Sequence, residues 1–205
     1  MRTAIYVDGF NLYFGALKNT PYKWLDLQRL FEVILTRNQV VLVRYFTAKV
    51  KAQPRNPDVH MRQDVYLRAL QAACPLVSLH YGHYVRREHS MENAKPPPPT
   101  VRVWKNEEKG SDVNLAVHLV NDAWDNRYDC AVVVSNDSDL ASAINLAKAR
   151  KKVVGLIPPV GIHRPISGAL RTRASFIKRL SPAALAACQL PSPVPGTTIQ
   201  KPVRW

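Results

Sequence analysis

The chain has 205 residues, 46% of them hydrophobic, and a formal net charge of +14. That is enough chain for one domain with a substantial core. The three cysteines (Cys74, Cys130 and Cys188) share no tight spacing, which excludes a disulfide scaffold or a zinc finger, while the basic balance points to a polyanionic partner, either nucleic acid or an anionic membrane surface.

The first apolar run, TAIYVD (3–8), reads as a strand. Asp8 interrupts it too early for a signal peptide. No apolar run reaches the roughly 18 residues of a membrane span, so a soluble, cytoplasmic protein is expected. DLQRLFEVIL (26–35) places Leu27, Leu30, Phe31 and Ile34 on one helical stripe. VVLVRYFTA (40–48) is the next strand. Asp58 to Ala73 is a helix with Asp58 as its cap and Met61, Val65, Leu67 and Leu70 facing inward. PLVSLHYGHYV (75–85) and VRVW (101–104) read as two further strands, joined through a stiff KPPPPT connector (95–100). Ser111 to Trp124 is a helix whose apolar face is Val113, Ala116, Val117 and Val120. CAVVVS (130–135) is a strand, and Ser138 to Arg150 is a helix that buries Leu140, Ile144 and Ala147 and ends on basic residues. KVVGLI (152–157) and SFIKRL (175–180) complete the strands. Such alternation predicts an α/β domain with a mostly parallel sheet over residues 1–180, followed by an extended, proline-rich basic tail over 181–205.

Acidic residues are scarce, so their positions are informative. No Asp or Glu occurs from Val33 to Pro57 or from Leu140 to Trp205. These stretches carry basic residues, Arg55 among them, and Lys49, Lys51, Arg150, Lys151 and Lys152 are candidates for contacts to a nucleic-acid backbone. In an open α/β sheet, sites form beyond the carboxyl ends of the strands. YVDGFN places Asp8 and Asn11 there, and VVVSNDSD places Asp137 and Asp139 there. EEKGSDVNLA adds Asp112 at the start of a helix. If the strands carrying Asp8 and Asp137 are neighbours, these residues start about 5 Å apart at the backbone. Singly, each carboxylate has a structural use as a helix cap or in a turn. Together they would repel one another unless a cation lay between them. All-oxygen ligands suit Mg²⁺ or Mn²⁺, and such an ion can activate water against a phosphodiester.

IYVDGFNLY, KGSDVNLAVHLVNDA and YDCAVVVSNDSDLASAI, in this order, resemble the NYN domain, the LabA-like (DUF88) branch of the PIN-like nuclease superfamily. The resemblance runs from about Arg2 to about Arg179. It implies a Rossmann-like, PIN-type three-layer sandwich, an acidic cluster that binds Mg²⁺ or Mn²⁺, and action on RNA. By motif position, Asp8, Asp112, Asp137 and Asp139 would be the metal carboxylates. Asn11 would orient a carboxylate or a metal-held water, Ser135 would support the carboxylates, and Lys109 would sit near a phosphate. Two positions depart from the family pattern. Asn136 stands where glycine is common, and its tolerance of unusual backbone angles should preserve the turn. His118 stands where relatives often carry an acid, and Asp122, four residues on, is expected to pair with it. His80 and His83 read as structural or surface groups. The aromatic group Tyr6, Phe10, Tyr13 and Phe14 reads as core, although Phe10 and Tyr13 lie beside the site and could stack on bases.

The expected function is a metal-dependent ribonuclease: in-line attack of a metal-activated water leaves a 5′-phosphate and a 3′-hydroxyl on single-stranded RNA. The alternative is an RNA-binding or regulatory module with little catalysis. A phosphohydrolase of small esters would leave the positive charge without a purpose. The resemblance also makes a homodimer plausible.

Overall fold

The computed structural model describes residues 1–54, 56–161 and 164–204. Strand β1 (Arg2–Asp8) runs into a short helix α1 (Gly9–Leu12) and a π-helical turn (Tyr13–Leu17). Then come α2 (Leu27–Ile34), β2 (Gln39–Thr47), α3 (Val59–Ala73), β3 (Val77–Tyr81), β4 (His83–Glu92) and β5 (Thr100–Lys109). The second half holds α4 (Ser111–Trp124), β6 (Cys130–Val134), a 3₁₀ turn (Ser138–Leu140), α5 (Ala141–Ala149), β7 (Val153–Leu156), α6 (Gly168–Arg171), β8 (Phe176–Ile177) and α7 (Pro182–Ala187).

Among these residues the sheet has six parallel strands in the order β3-β2-β1-β6-β7-β8. The two central strands are buried almost throughout, which is why they read as continuous apolar runs. Alternation along β1 divides the core. Ile5 and Val7 join Leu30 and Phe31 of α2 and Leu67 and Leu70 of α3. Ala4 and Tyr6 join Leu115 and Leu119 of α4 and Ile144 and Ala147 of α5. The result is a three-layer α/β arrangement compatible with a PIN-like sandwich. No helix among the described residues is long and apolar enough to cross a membrane.

Several expectations are corrected. PLVSLHYGHYV is two strands. β3 joins the main sheet, whereas β4 leaves it to form an antiparallel hairpin with β5 that extends past VRVW to Lys109. The break falls at Gly82, where a β-carbon would lie 2.6 Å from both Glu108 Oε1 and Lys109 O. Only a residue without a side chain lets the chain pass the end of β5 this closely. In α3, Met61 is exposed, and Tyr66 and Ala69 are buried with Leu67 and Leu70. Asp58 stands at the N-cap of α3, but its side chain makes no capping bond.

The buried face of α4 is also not the expected one. Val113 and Val117 are each 60% exposed, and Leu115, Leu119 and Ala123 face the sheet together with Asp122. A carboxylate on the sheet side disguises that stripe from a hydrophobicity reading. Asp122 is 1% exposed and accepts hydrogen bonds from Tyr6 Oη at 2.7 Å and from Arg44 Nε and Nη2 at 2.7 and 3.0 Å. A buried charge persists only when paired in this way. Its partner is therefore Arg44, not His118.

The segment after residue 180 does not trail into solvent. α7 is capped by Ser181, whose Oγ accepts from the Ala184 amide at 3.1 Å, and Leu185, Cys188, Leu190 and Val194 are buried against the α2–α3 layer. The Trp24 indole donates to Pro191 O at 3.2 Å, and the Leu190 amide donates to Trp24 O at 2.8 Å.

Candidate functional site

β1 and β6 are neighbours with Val7 opposite Val134, so the next residues, Asp8 and Ser135, meet at the carboxyl edge of the sheet. Ser135, not Asp137, thus occupies the position across from Asp8. Its hydroxyl donates to Asp8 Oδ2 at 3.0 Å and accepts from the Asp137 amide at 3.1 Å. Asp8 Oδ1 accepts from the Asn11 amide at 2.9 Å, which caps α1. Asp137 Oδ1 accepts from the Asp139 amide at 3.0 Å in the following turn. Asn11 Oδ1 accepts from the Asn136 amide at 3.1 Å. The Asn11 side chain thus braces the SNDSD turn, and the residue's bond to a carboxylate comes from its backbone amide, to Asp8.

Asn136 does not adopt a left-handed backbone. Its use lies in its side chain: Oδ1 accepts from the Ser167 amide at 2.8 Å and Nδ2 donates to Pro165 O at 3.3 Å. A glycine could do neither.

α4 runs antiparallel to the strands, so its first turn returns Asp112 to the same edge. Asp8, Asp112 and Asp137 line one cleft of about 650 Å³ together with Asn11 and Asn136. Two more lining residues, Glu108 and Arg164, were missed from sequence. Glu108 lies within the acidic EEKGSD stretch, but ending the strand at Trp104 hid that β5 carries it to the cleft. Its Oε1 accepts from the Ser111 amide at 2.9 Å. The Asp8 carboxyl is raised from 3.8 to about 6, foremost by burial and further by the charges of Asp137 and Glu108, against the pull of the Asn11 and Ser135 hydrogen bonds.

Other expected residues are not brought to this cleft. Asp139 is exposed and does not line it. The His118 ring packs 4.3 Å from His80 and 5.6 Å from Phe46, away from the cleft lining, and burial lowers the affinity of His118 for a proton. Asp122 belongs to the core network. Lys109 Nζ stands 3.6 Å from Glu107 Oε2 and outside the lining. Lys49 and Lys51 follow the carboxyl end of β2. Lys49 Nζ lies 3.8 Å from Asp64 Oδ1 and 5.7 Å from the Tyr81 ring. Arg150, Lys151 and Lys152 lie between α5 and β7, at the amino edge of the sheet, roughly 17 Å from the cleft by strand length. There Arg150 stacks on Trp124 at 4.0 Å and Lys152 bonds to Asn126 Oδ1. Arg55 lies outside the described residues.

The candidate ligands of the cleft are all oxygen donors, which suits a hard divalent cation better than zinc. Among the described residues, no three acidic, histidine or cysteine side chains are gathered closely enough to grip an ion as they stand. Asp8, Glu108, Asp112 and Asp137 line this common space.

The 6-hydroxy-3-succinoylpyridine 3-monooxygenase HspA of Pseudomonas putida is 35% identical in a 236-residue alignment that covers 100% of this chain and 75% of that protein. A crystal structure of a protein of unknown function from Vibrio parahaemolyticus superposes with a TM-score of 0.55, covering 88% of this chain and 93% of the other. At 18% identity that likeness concerns the fold alone. The sequence profile of the NYN domain matches residues 2–178, and the chain belongs to the NYN domain family, whose fold is nuclease-like.

Proposed function

We propose that the protein is a ribonuclease dependent on Mg²⁺ or Mn²⁺, cleaving single-stranded RNA to leave a 5′-phosphate and a 3′-hydroxyl. The observation that carries this reading is the convergence of Asp8, Glu108, Asp112 and Asp137 on one cleft of a chain with a net charge of +14. A basic chain attracts a polyanion, and a carboxylate cleft suits the cation that would neutralise the phosphate under attack. Asp8, Asp137, Asp112 and Glu108 would hold the ion. When bound, it would lower the pKa of water and offset the charge that develops on the phosphodiester.

The chain's own groups do the positioning. Ser135 and the Asn11 amide fix both oxygens of Asp8. Arg164 lines the cleft and would hold a phosphate oxygen. Attack by water in line with the P–O3′ bond forms a new P–O bond as P–O3′ breaks; the attacking water gives up a proton to solvent, and the departing 3′ oxygen takes one from it. Labelled single-stranded RNA incubated with Mg²⁺ or Mn²⁺ tests the reading: cleavage that Asp137→Asn abolishes supports it. Tight binding with no cleavage under either ion would instead make the protein an RNA-binding module.

The 35% identity, over all of this chain and 75% of a monooxygenase-named relative, favours one second reading, oxygenation of a hydroxypyridine ring. One atom of O₂ would enter the ring and the other would leave as water, so a two-electron donor is required. Oxygen uptake with 6-hydroxy-3-succinoylpyridine and a nicotinamide reductant would support it, and the absence of uptake would exclude it.

A further inference from the structure

Next to the acidic cleft lies a second cavity of about 500 Å³ to which the cleavage chemistry gives no role. Phe10, Phe14 and Glu108 line both spaces, so the two share a wall. The cavity collects aromatic rings from separate elements: Tyr13 from the π-helical turn, Tyr45 from β2, Tyr66 from α3 and Tyr84 from β4. Its volume is that of a small-ligand site. Lys18 and Arg62 are among its lining residues, and Glu108 is the acid it shares with the cleft.

Most polar groups in this lining are already used. Gln63 donates to Ala48 O at 2.9 Å and accepts from the Val50 amide at 2.9 Å. Tyr66 Oη donates to Leu25 O at 2.9 Å. Tyr45 is 7% exposed and lines the cavity from β2. Gly9 makes room for it, because a β-carbon there would lie 2.7 Å from Tyr45 Oη. A phenol hydroxyl on a cavity wall can donate to a ligand that carries an acceptor. Aromatic walls select a flat ring, Tyr45 selects a ring with a polar edge, and Lys18 and Arg62 select one attached to negative charge.

We propose that this cavity receives the nucleobase adjacent to the cleaved phosphodiester. The base stacks among Phe10, Tyr13 and Tyr84, Tyr45 donates to its edge, and Lys18 and Arg62 face the neighbouring phosphate. The proposal rests on the ribonuclease reading, and the test separates the two.

Binding is measured by fluorescence anisotropy in an Asp137→Asn background, so that cleavage does not consume the probe. The probes are a labelled hexauridylate and the same hexamer with one abasic residue at each position in turn. One abasic position should weaken binding by about tenfold or more, the worth of a single base stack. Tyr84→Leu should remove that preference while leaving the abasic hexamer's affinity unchanged. Tyr45→Phe, which keeps the ring and the fold, should alter the ranking of the four homohexamers. Equal binding of base-bearing and abasic probes, or equal weakening of both by Tyr84→Leu, overturns the proposal. If base-dependent binding persists but the wild-type protein cuts no RNA, the nuclease reading falls and the base site stands. If RNA is cut with no dependence on Tyr84, Tyr45 or the abasic positions, the base site alone falls.

Discussion

Asn136 joins the end of β6 to the loop before α6 by accepting from the Ser167 amide at 2.8 Å and donating to Pro165 O at 3.3 Å. Arg164, the cation lining the acidic cleft, immediately precedes Pro165. A side chain at one strand end thereby sets where a positive charge stands relative to Asp8 and Asp137.

Asn136→Gly removes both bonds and frees that loop. We expect a stability loss of about 1–2 kcal/mol, from two part-exposed hydrogen bonds and added backbone entropy. RNA affinity should fall several-fold more than turnover. Amide hydrogen exchange should accelerate at Ser167, and Asn136→Asp should restore that protection in part, because it keeps the acceptor.

Removing Asp137 or Glu108 tests the cation site apart from the fold. Mn²⁺ at 100 times its dissociation constant should stabilise the wild-type protein by about 2.7 kcal/mol, read as a raised melting temperature. Asp137→Asn should abolish the increment and the cleavage together. Glu108→Gln keeps the acceptor for the Ser111 amide and loses only the charge. It should weaken Mn²⁺ binding by roughly tenfold or more, with an unchanged melting temperature in the absence of metal.

The Asp122 network is structural, and its loss should register in stability. Asp122→Ala leaves the Arg44 guanidinium and the Tyr6 hydroxyl buried without their partner, at a cost of about 3–5 kcal/mol. Chemical denaturation measures it. Metal-induced stabilisation should survive in whatever fraction remains folded, because Asp122 does not line the cleft.

His80 makes the fold sensitive to mild acid. It stacks on Phe46 at 4.9 Å and lies within hydrogen-bonding distance of Ser78 Oγ and Arg44 Nη1, at 3.0 and 3.2 Å. Burial, the neighbouring His118 and the Arg44 charge lower it from 6.5 to about 4. Between those values the unfolded chain binds more protons than the folded one. Stability contributed by neutral His80 is therefore complete above pH 6.5 and is lost as pH falls towards 4. With partial exposure discounted, the effect is about 1 kcal/mol. Urea unfolding at stepped pH should show this slope in the wild type and a flatter one in His80→Gln.

The central strand runs were legible because a doubly covered parallel sheet needs continuous apolar segments, and CAVVV and AIYV can be little else. The acidic motif positions were equally plain: a carboxylate that ends an apolar strand stands at the sheet's edge whatever its neighbours are. Two kinds of feature were hidden. The face of α4 was misread because a buried Asp122 replaces an apolar residue on the inner stripe and Val113 and Val117 point outward. Glu108 was hidden because its place depends on a hairpin whose strands are set by pairing with each other, not by any period of their own.

Composition and local pattern by themselves determined an α/β chain, a basic surface and carboxylates at strand and helix ends, since these follow from hydrophobic run lengths and charge counts. Tertiary structure alone decided which carboxylates face one another. It placed Ser135 across from Asp8, brought Glu108 in from the hairpin, left Asp139 in solvent and set Arg150, Lys151 and Lys152 at the far edge of the sheet. The physical reason is that strand register and helix direction, which arise from contacts between residues distant in sequence, fix where a side chain ends up, whereas the sequence around it fixes only what that side chain is.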